Sequence, residues 1–277
     1  MSKIAASDGY LRGLSRLASQ PSFKLDTLKE YWPRLESQIH NQRRRKLSKL
    51  AQDDPIRSPV DLLSPLRLVS DEVIHTRALA YLCDPAKEHG FEKAVLRSVL
   101  TVLAKRNRRK GIAKFLAFLS KSKRIEVRFE YQYAIQGSRT RSSARNDVRI
   151  EMRNERSAAL IIIENKIEAP EGTHQLALYE DEARKWCKQN NGRSLLVYLG
   201  REGREPKDDN DQWLNLSYLS LACALRNAWQ KCQETPGGPW LKLYISTITR
   251  GLLGVHSKRL EHMNLDQIED YVWEDTK

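Results

Sequence analysis

The chain has 277 residues, with 48 lysines and arginines against 35 aspartates and glutamates, so that its formal net charge is +13 and its pI is near 9.6. Its hydrophobic content of 40% and aromatic content of 8% are enough for a sizeable core and exclude a disordered chain. The positive charge favours a polyanionic partner, although a basic protein without such a ligand has the same composition.

Several classes of protein are excluded by what the sequence lacks. The four cysteines have no CxxC spacing and the six histidines form no HxxxH or HExxH cluster, which argues against a zinc site or a disulfide framework. No stretch approaches the ~18–20 apolar residues of a membrane span, and the N-terminus lacks the apolar segment of a signal peptide. We therefore expect a soluble cytoplasmic protein whose cysteines are reduced.

The N-terminal part of the chain is predicted to be helical, because apolar residues recur at close to helical spacing within residues 1–54. Its basic run Arg43–Lys46 indicates either a solvated helix face or a contact with phosphates. Three prolines make Asp53–Pro65 the best candidate for a linker. We therefore expect a helical extension, residues 1–57, and a main domain, residues 58–277. The extension is a candidate for homo-oligomerisation or for docking a partner protein.

Two helical regions are predicted at the start of the main domain. The first runs from Ser70 to about Leu82, capped by its first or second residue. Glu72 lies in its first turn, where a carboxylate either stabilises the helix dipole or joins an acidic site formed elsewhere. The second runs from Phe91 to about Leu119 with a break at Gly111. Its basic residues either follow a phosphate backbone or form an ordinary solvated surface.

Two strands with alternating side chains are predicted next. Apolar and polar residues alternate in Ile125–Ile135 and again in Asp147–Met152, as in half-buried strands. The loop Gly137–Arg145 between them is polar and basic. Because it leads directly to Asp147, we expect it to contact the substrate of a site formed there.

The segment Leu160–Lys166, with the sequence LIIIENK, is the most informative of the chain. Its apolar, mostly β-branched residues predict a strand buried on both faces, yet Glu164 and Lys166 at its end leave from the same face. A hairpin with its turn at residues 153–157 would place Asp147 directly opposite Glu164, with Cβ atoms about 4.5–5.5 Å apart. Two such carboxylates can share one metal ion beside the Lys166 amine, as in a nuclease. The alternative is a surface ion pair between Glu164 and Lys166.

The rest of the chain alternates helix and strand. A helix from Thr173 to about Gln189 carries Gln175 and Tyr179 on one face near its start. Ser194–Leu199 is a short buried strand, which we expect to lie parallel to its neighbour. A surface loop and further helices follow, and these segments are Gly200–Gln212, Leu216 to about Lys231, Trp240 to about Leu253, and Leu265–Val272. This order predicts an α/β fold with a mixed four-stranded sheet flanked by helices.

Three of these charged residues carry the pattern of a known family. The chain resembles the PD-(D/E)XK nuclease superfamily, in which an Asp begins one strand and E-x-K ends the next, here Asp147 and Glu164–Lys166. Asn146 stands where the superfamily name has Pro. The resemblance covers about residues 61–220 and implies a restriction-endonuclease-like core.

Two further motifs support the resemblance. Gln175 and Tyr179 resemble the QxxxY motif of RecB-like members, and the stretch from Glu72 through LAYLCDPAKEHG is similar to a bacterial subgroup. The resemblance implies that Gln175 and Tyr179 position the phosphate or Lys166. It also implies that Lys166 orients or deprotonates the attacking water, or stabilises the transition state.

The cofactor that the resemblance implies is Mg²⁺ or Mn²⁺. Asp147, Glu164 and the backbone carbonyl of Asn165 would bind it, and Glu72 would complete the acidic cluster directly or through water. Oxygen ligands of this kind are the ones that Mg²⁺ prefers.

The expected function is therefore that of a metal-dependent nuclease, with a DNA endonuclease favoured over an RNA-directed enzyme and a setting in bacterial defence against phage. Two alternatives stay open. One is a nucleic-acid-binding module with a catalytically silent nuclease fold, and the other is an RNA-directed nuclease or toxin.

Overall fold

The computed structural model describes residues 50–107, 110–134, 143–168, 175–201 and 212–255, together with five isolated positions before them. The chain divides into two compact units, Met1–Ser48 and Lys49–Lys277. The predicted N-terminal helices, the basic run at residues 43–46, the predicted helix at residues 265–272 and most of the loops at residues 137–145 and 200–212 lie outside the described residues. The helical extension of residues 1–57 therefore stays a prediction.

The second unit is built on one mixed sheet of five strands in the order β1-β2-β3-β4-β5. The first three strands are antiparallel to one another, and β4 and β5 run parallel to β3. Their bounds are β1 (Arg124–Ala134), β2 (Ser143–Arg153), β3 (Ala158–Lys166), β4 (Gly192–Gly200) and β5 (Trp213–Ser217). The predicted α/β fold with a mixed sheet is confirmed, including the parallel pairing of β4.

The sheet has one strand more than the predicted four. The sequence WLNLS forms β5 at the edge of the sheet, and the helix that we expected from Leu216 begins at Tyr218. Five residues are too few for a period of two to be distinguished from the start of an amphipathic helix. The side chain of Ser217 caps the helix by accepting from the Ser220 backbone N–H, at 3.1 Å.

Six α-helices are present in the described part of the chain. Asp71 caps the first, its carboxylate accepting from the Ile74 backbone N–H at 3.0 Å. Gly111, where the sequence predicts a break, lies inside the third. The last continues into a π-helical turn at Thr247–Leu252. The helices are α1 (Glu72–Cys83), α2 (Ala94–Asn107), α3 (Lys110–Lys121), α4 (Gln175–Gln189), α5 (Tyr218–Lys231) and α6 (Gly238–Ser246). None of these is long and apolar enough to cross a membrane.

Strand β3 is the centre of the fold, and all nine of its residues are buried. One face packs against α4 through Leu160 and Ile162, which meet Leu176, Tyr179 and other buried residues of that helix. The opposite face is turned toward α1, because side chains alternate along a strand. The three parallel strands end level with one another, since Lys166 pairs with Gly200 of β4 and Gly200 with Ser217 of β5.

The register of the β2–β3 hairpin is the predicted one. Val148 pairs with Ile163, so that Asp147 and Glu164 are the next residues toward the open end of the hairpin. The turn at the other end is closed by the Asn154 side chain, which accepts from the backbone N–H groups of Arg156 and Ser157 at 3.0 and 2.9 Å.

A buried group of charges ties β2 to α4. The Arg149 guanidinium, 2% exposed, donates to Glu151 at 2.9 Å and to Glu182 of α4 at 2.5 Å. Arg153 donates to the second oxygen of Glu151 at 2.9 Å, and both guanidinium groups lie over the Trp186 ring. Burying these charges is tolerable because each finds a partner.

Candidate active site

Glu164 and Lys166 form a close pair at the end of β3. The Lys166 Nζ lies 2.8 Å from Glu164 Oε1, with the Glu164 side chain fully buried and that of Lys166 10% exposed. A surface ion pair, the alternative interpretation of the sequence, is therefore wrong. A buried pair of charges at a strand end needs further polar partners, because burial without them is costly.

The first helix residue of α4 supplies one of those partners. Gln175 Nε2 donates to Glu164 Oε1 at 2.7 Å and to the Tyr179 hydroxyl, also at 2.7 Å. The two QxxxY side chains thus lie on one face of α4, above the end of β3. Gln175 therefore holds the Glu164 carboxylate.

Asp147 joins the site from β2. Its Oδ2 accepts from the backbone N–H of Asn165 at 2.8 Å, which fixes the carboxylate against the main chain between Glu164 and Lys166. Asp147, Glu164 and Lys166 are therefore brought to one end of the hairpin, as the sequence predicts.

In the part of the chain that the structure describes, the site has more acidic than basic groups, because the Asp147 and Glu164 carboxylates lie beside the single amine of Lys166. Burial, with the neighbouring Asp147 carboxylate acting in the same direction, raises the pKa of Glu164 to about 8 against the opposing effect of Lys166. Glu164 Oε2 is buried and has no hydrogen-bond partner among the described residues. Burial lowers the pKa of Lys166, but Glu164, Asp147 and Glu72 outweigh it and the net shift is upward. The amine is thus held as an ammonium.

Glu72 reaches the site from α1 and contacts the main chain there. Its Oε1 accepts from the backbone N–H groups of Ile167 and Glu168, at 2.7 and 3.0 Å, and so caps the chain where it leaves β3. Among the described residues no three His, Cys, Asp or Glu side chains are grouped closely enough to hold a metal ion. Metal binding by Glu72 therefore stays a prediction, beside the capping role that the contacts give it.

The side chain of Asn165, on the opposite face from Glu164, is fully hydrogen-bonded. Its Nδ2 donates to the Glu72 carbonyl and to Thr76 Oγ1, each at 3.1 Å, and its Oδ1 accepts from the Tyr218 hydroxyl at 2.7 Å. Neither Thr76 nor Tyr218 is predicted from the sequence as a site residue. Tyr218 could have been found had β5 been recognised, because residues that follow parallel strands meet at one edge of a sheet.

The site has the donor set of a hard divalent cation. Two carboxylates, from Asp147 and Glu164, lie next to the backbone of Asn165, and one buried carboxylate oxygen has no hydrogen-bond partner in the described structure. Oxygen ligands of this kind suit Mg²⁺ or Mn²⁺, and a cation would offset the negative charge that raises the pKa of Glu164.

The LCDPAKEHG stretch is structural where the contacts are described. His89 Nε2 bonds to the Tyr81 carbonyl at 3.0 Å, and His89 Nδ1 accepts from the Phe91 backbone N–H at 2.9 Å. Gly90 has a φ of +77°, which favours glycine. Both ring nitrogens are occupied within the fold, so this histidine is not available to the site.

Comparison with known proteins gives one match. A family model described as the PD-(D/E)XK nuclease superfamily matches residues 60–270, about three quarters of the chain. Searches of curated proteins and of solved structures found no match. With the hairpin register and the acidic pair beside Lys166, this match establishes that the chain belongs to the PD-(D/E)XK nuclease superfamily.

Proposed function

We propose that this protein is a metal-dependent nuclease that hydrolyses phosphodiester bonds of DNA at internal positions. The observation that carries the proposal is the buried Glu164 carboxylate, bonded on one oxygen to Lys166 and Gln175 and without a hydrogen-bond partner on the other in the described structure. An arrangement that costs folding energy and leaves an oxygen ready for a cation is typical of a functional site.

The proposed cation is Mg²⁺ or Mn²⁺, held by Asp147, Glu164 and the backbone carbonyl of Asn165. When bound, such a cation lowers the pKa of water and neutralises charge on phosphate oxygens. Asp147 is already oriented for this by its bond from the Asn165 N–H.

The remaining side chains have separate roles. Lys166, held as an ammonium, stabilises the negative charge that develops on the phosphate in the pentavalent transition state. Gln175 fixes the Glu164 carboxylate, and Tyr179 in turn accepts from Gln175. The products would be 5′-phosphate and 3′-hydroxyl ends, as the superfamily implies.

DNA as the substrate, a cytoplasmic location and a role in bacterial defence against phage are the finer parts of the proposal. The net charge of +13 supports a polyanionic substrate. The RecB-like subgroup and the defence setting rest on the QxxxY motif and the LCDPAKEHG stretch.

The test is a cleavage panel. Plasmid, linear duplex, single-stranded DNA and RNA are incubated with the protein in Mg²⁺, Mn²⁺ or EDTA. We expect cation-dependent nicking of the plasmid, and a loss of at least about 100-fold in Asp147→Ala and Lys166→Ala. Matched controls are Asp181→Ala and Lys185→Ala, an exposed pair 3.6 Å apart on α4, which should cleave like wild type.

Each result separates the alternatives. Cleavage that persists in Asp147→Ala or Lys166→Ala would place the chemistry elsewhere, and cleavage of RNA alone would make the enzyme RNA-directed. Binding that weakens with salt, without cleavage in any cation, would instead identify a nucleic-acid-binding module.

A further inference from the structure

Asn165 lies between the two residues that define the E-x-K motif, and its side chain is locked in one orientation. The Glu72 carbonyl can only accept, so the Asn165 atom that faces it must be the amide nitrogen. Thr76 Oγ1 takes the second N–H, and the Tyr218 hydroxyl donates to the amide oxygen. The side chains of Asn165, Thr76 and Tyr218 are all buried, with residues exposed by 2% or less.

The main chain of the same residue belongs to the proposed metal site. Its N–H holds the Asp147 carboxylate at 2.8 Å, and its carbonyl is the proposed backbone ligand. The Asn165 N–H and carbonyl belong to the two peptides that meet at its Cα, and the bonds of the side chain hold that Cα in place. Loss of those bonds would let the Cα shift, and the Asp147 carboxylate and the Asn165 carbonyl would shift with it.

We propose that Tyr218 and Thr76 are positioning residues for the divalent cation, and that they act through the Asn165 side chain. This inference rests on the proposed function. It adds to the proposed cation ligands two residues, on α1 and α5, that hold one of those ligands in place. Tyr218 is the first residue of α5 and Thr76 lies one turn into α1, so both helices hold the end of β3 from the face opposite Glu164. Mutation of residues that hold a metal's ligands in place typically lowers the metal affinity by about 10–100-fold.

A purely structural role for the Tyr218 hydroxyl is the competing explanation, and the chain offers a matched control for it. Tyr244 is also buried, and both tyrosines contact His75. The centroid of the His75 ring lies 5.6 Å from that of Tyr244 and 5.5 Å from that of Tyr218. Its hydroxyl bonds to His75 Nδ1 at 3.0 Å and does not take part in the bonds to Asn165.

The experiment measures Mn²⁺ affinity by isothermal titration of the 277-residue chain without nucleic acid. We expect Tyr218→Phe to bind Mn²⁺ about tenfold more weakly and Tyr244→Phe to stay within about twofold of wild type. Thr76→Val should weaken Mn²⁺ binding several-fold, because it removes the hydroxyl that accepts from Asn165. Thr76→Ser keeps the hydroxyl and should bind Mn²⁺ as wild type does. Urea unfolding in EDTA should be shifted at least as much by Tyr244→Phe, which removes bonds to His75 Nδ1 and to the His75 carbonyl, as by Tyr218→Phe, which removes the bond to Asn165.

An unchanged Mn²⁺ affinity in Tyr218→Phe, or equal losses in Tyr218→Phe and Tyr244→Phe, would overturn the inference. If Tyr218→Phe does not fold, the comparison of Thr76→Val with Thr76→Ser decides alone, and equal affinities reject the inference. Mn²⁺ binding by wild type that survives Asp147→Ala would reject it as well.

A different result would refute the proposed nuclease activity and leave the positioning inference intact. A protein that binds Mn²⁺ through Asp147, responds to Tyr218→Phe and cleaves no nucleic acid would keep the positioning inference and refute the activity. Where cleavage is found, Tyr218→Phe should lower kcat with little change in KM for DNA, since neither residue is proposed to contact the substrate.

Discussion

Glu164 has one carboxylate oxygen bonded to Lys166 and Gln175, while the other is buried beside a second carboxylate. A group in this position resists ionisation, and the pKa of about 8 expresses the free energy that the ion-free fold loses by holding it. The side chain that we propose as a cation ligand therefore destabilises the protein when no cation is present.

Glu164→Gln should stabilise the protein in EDTA. In the unfolded chain Glu164 ionises near its ordinary pKa of 4.5, whereas the folded state keeps the proton until about pH 8. The cost of the carboxylate is therefore absent below pH 4.5, grows as the pH rises and is complete above pH 8. We expect a gain on the order of 1–3 kcal/mol at pH 8 and almost none at pH 5, measured by urea unfolding.

Glu155→Gln is the control for this measurement. That carboxylate is exposed and pairs with Lys123 at 2.5 Å, so its replacement should leave the pH dependence as it is. A Glu164→Gln variant that is less stable than wild type at pH 8 in EDTA would contradict the argument.

The acidic pair could be placed from the sequence because a hairpin register relates two residues by their distance from one turn. Thr76 and Tyr218 could not be placed in this way. They meet Asn165 across 89 and 53 residues of sequence, and the contact depends on how two helices pack on the sheet.

Strands β1 to β4 could be predicted because β1 and β2 alternate polar and apolar residues, while β3 and β4 contain the unbroken apolar runs Ala158–Ile163 and Leu195–Leu199. β5, with five residues, could not. The first helix was predicted from Ser70, with Ser70 or Asp71 as its cap, and α1 begins two residues later at Glu72 with Asp71 as the cap. A break was predicted at Gly111, but that residue lies inside α3, where a single glycine costs about 1 kcal/mol and is tolerated.

The connection after α1 is packed against the segment before α6 through Gly237. The Gly237 N–H donates to the His89 carbonyl at 3.0 Å. A Cβ at this position would lie 2.6 Å from Phe91 Cζ and 2.9 Å from the His89 carbonyl oxygen, closer than such atoms can approach. No side chain other than hydrogen fits there.

Gly237→Ala should therefore destabilise the protein by roughly 1–3 kcal/mol, as overpacking in a tight core does, measured by urea unfolding. Gly111→Ala in α3 is the matched control, since its Cβ would meet nothing within 4 Å, and it should stabilise by about 0.5–1 kcal/mol. Equal effects of the two changes would show that the Gly237 contact contributes nothing.

The described unit places the ends of three parallel strands and one hairpin at a single edge of the sheet. The hairpin, the parallel pairing of β4 and the excess of 13 positive charges were accessible from the sequence, and β5 was not. The parts of the chain outside the described residues contain the basic run at residues 43–46 and much of the loop at residues 137–145, and their proposed contacts with nucleic acid stay predictions.

Binding of DNA should be strongly salt-dependent. Each phosphate neutralised by lysine or arginine releases a counterion, so affinity falls as salt rises. For Asp147→Ala in EDTA, fluorescence anisotropy with a labelled duplex should give a Kd at least about tenfold higher in 200 mM than in 50 mM KCl. A Kd that does not change with salt would mean that the net charge serves another purpose.

Helix α4 carries Gln175 in its first turn and Glu182 about two turns later, near its middle, and these two side chains are bonded to different strands. Gln175 meets β3 at the acidic edge, while Glu182 is anchored to the buried Arg149 of β2. The bond between Arg149 and Glu182 therefore fixes the helix at a point roughly 10 Å along its axis from Gln175, which holds the Glu164 carboxylate. Breaking the bond between Arg149 and Glu182 would let α4 shift, and Gln175 would then move the Glu164 carboxylate out of its position.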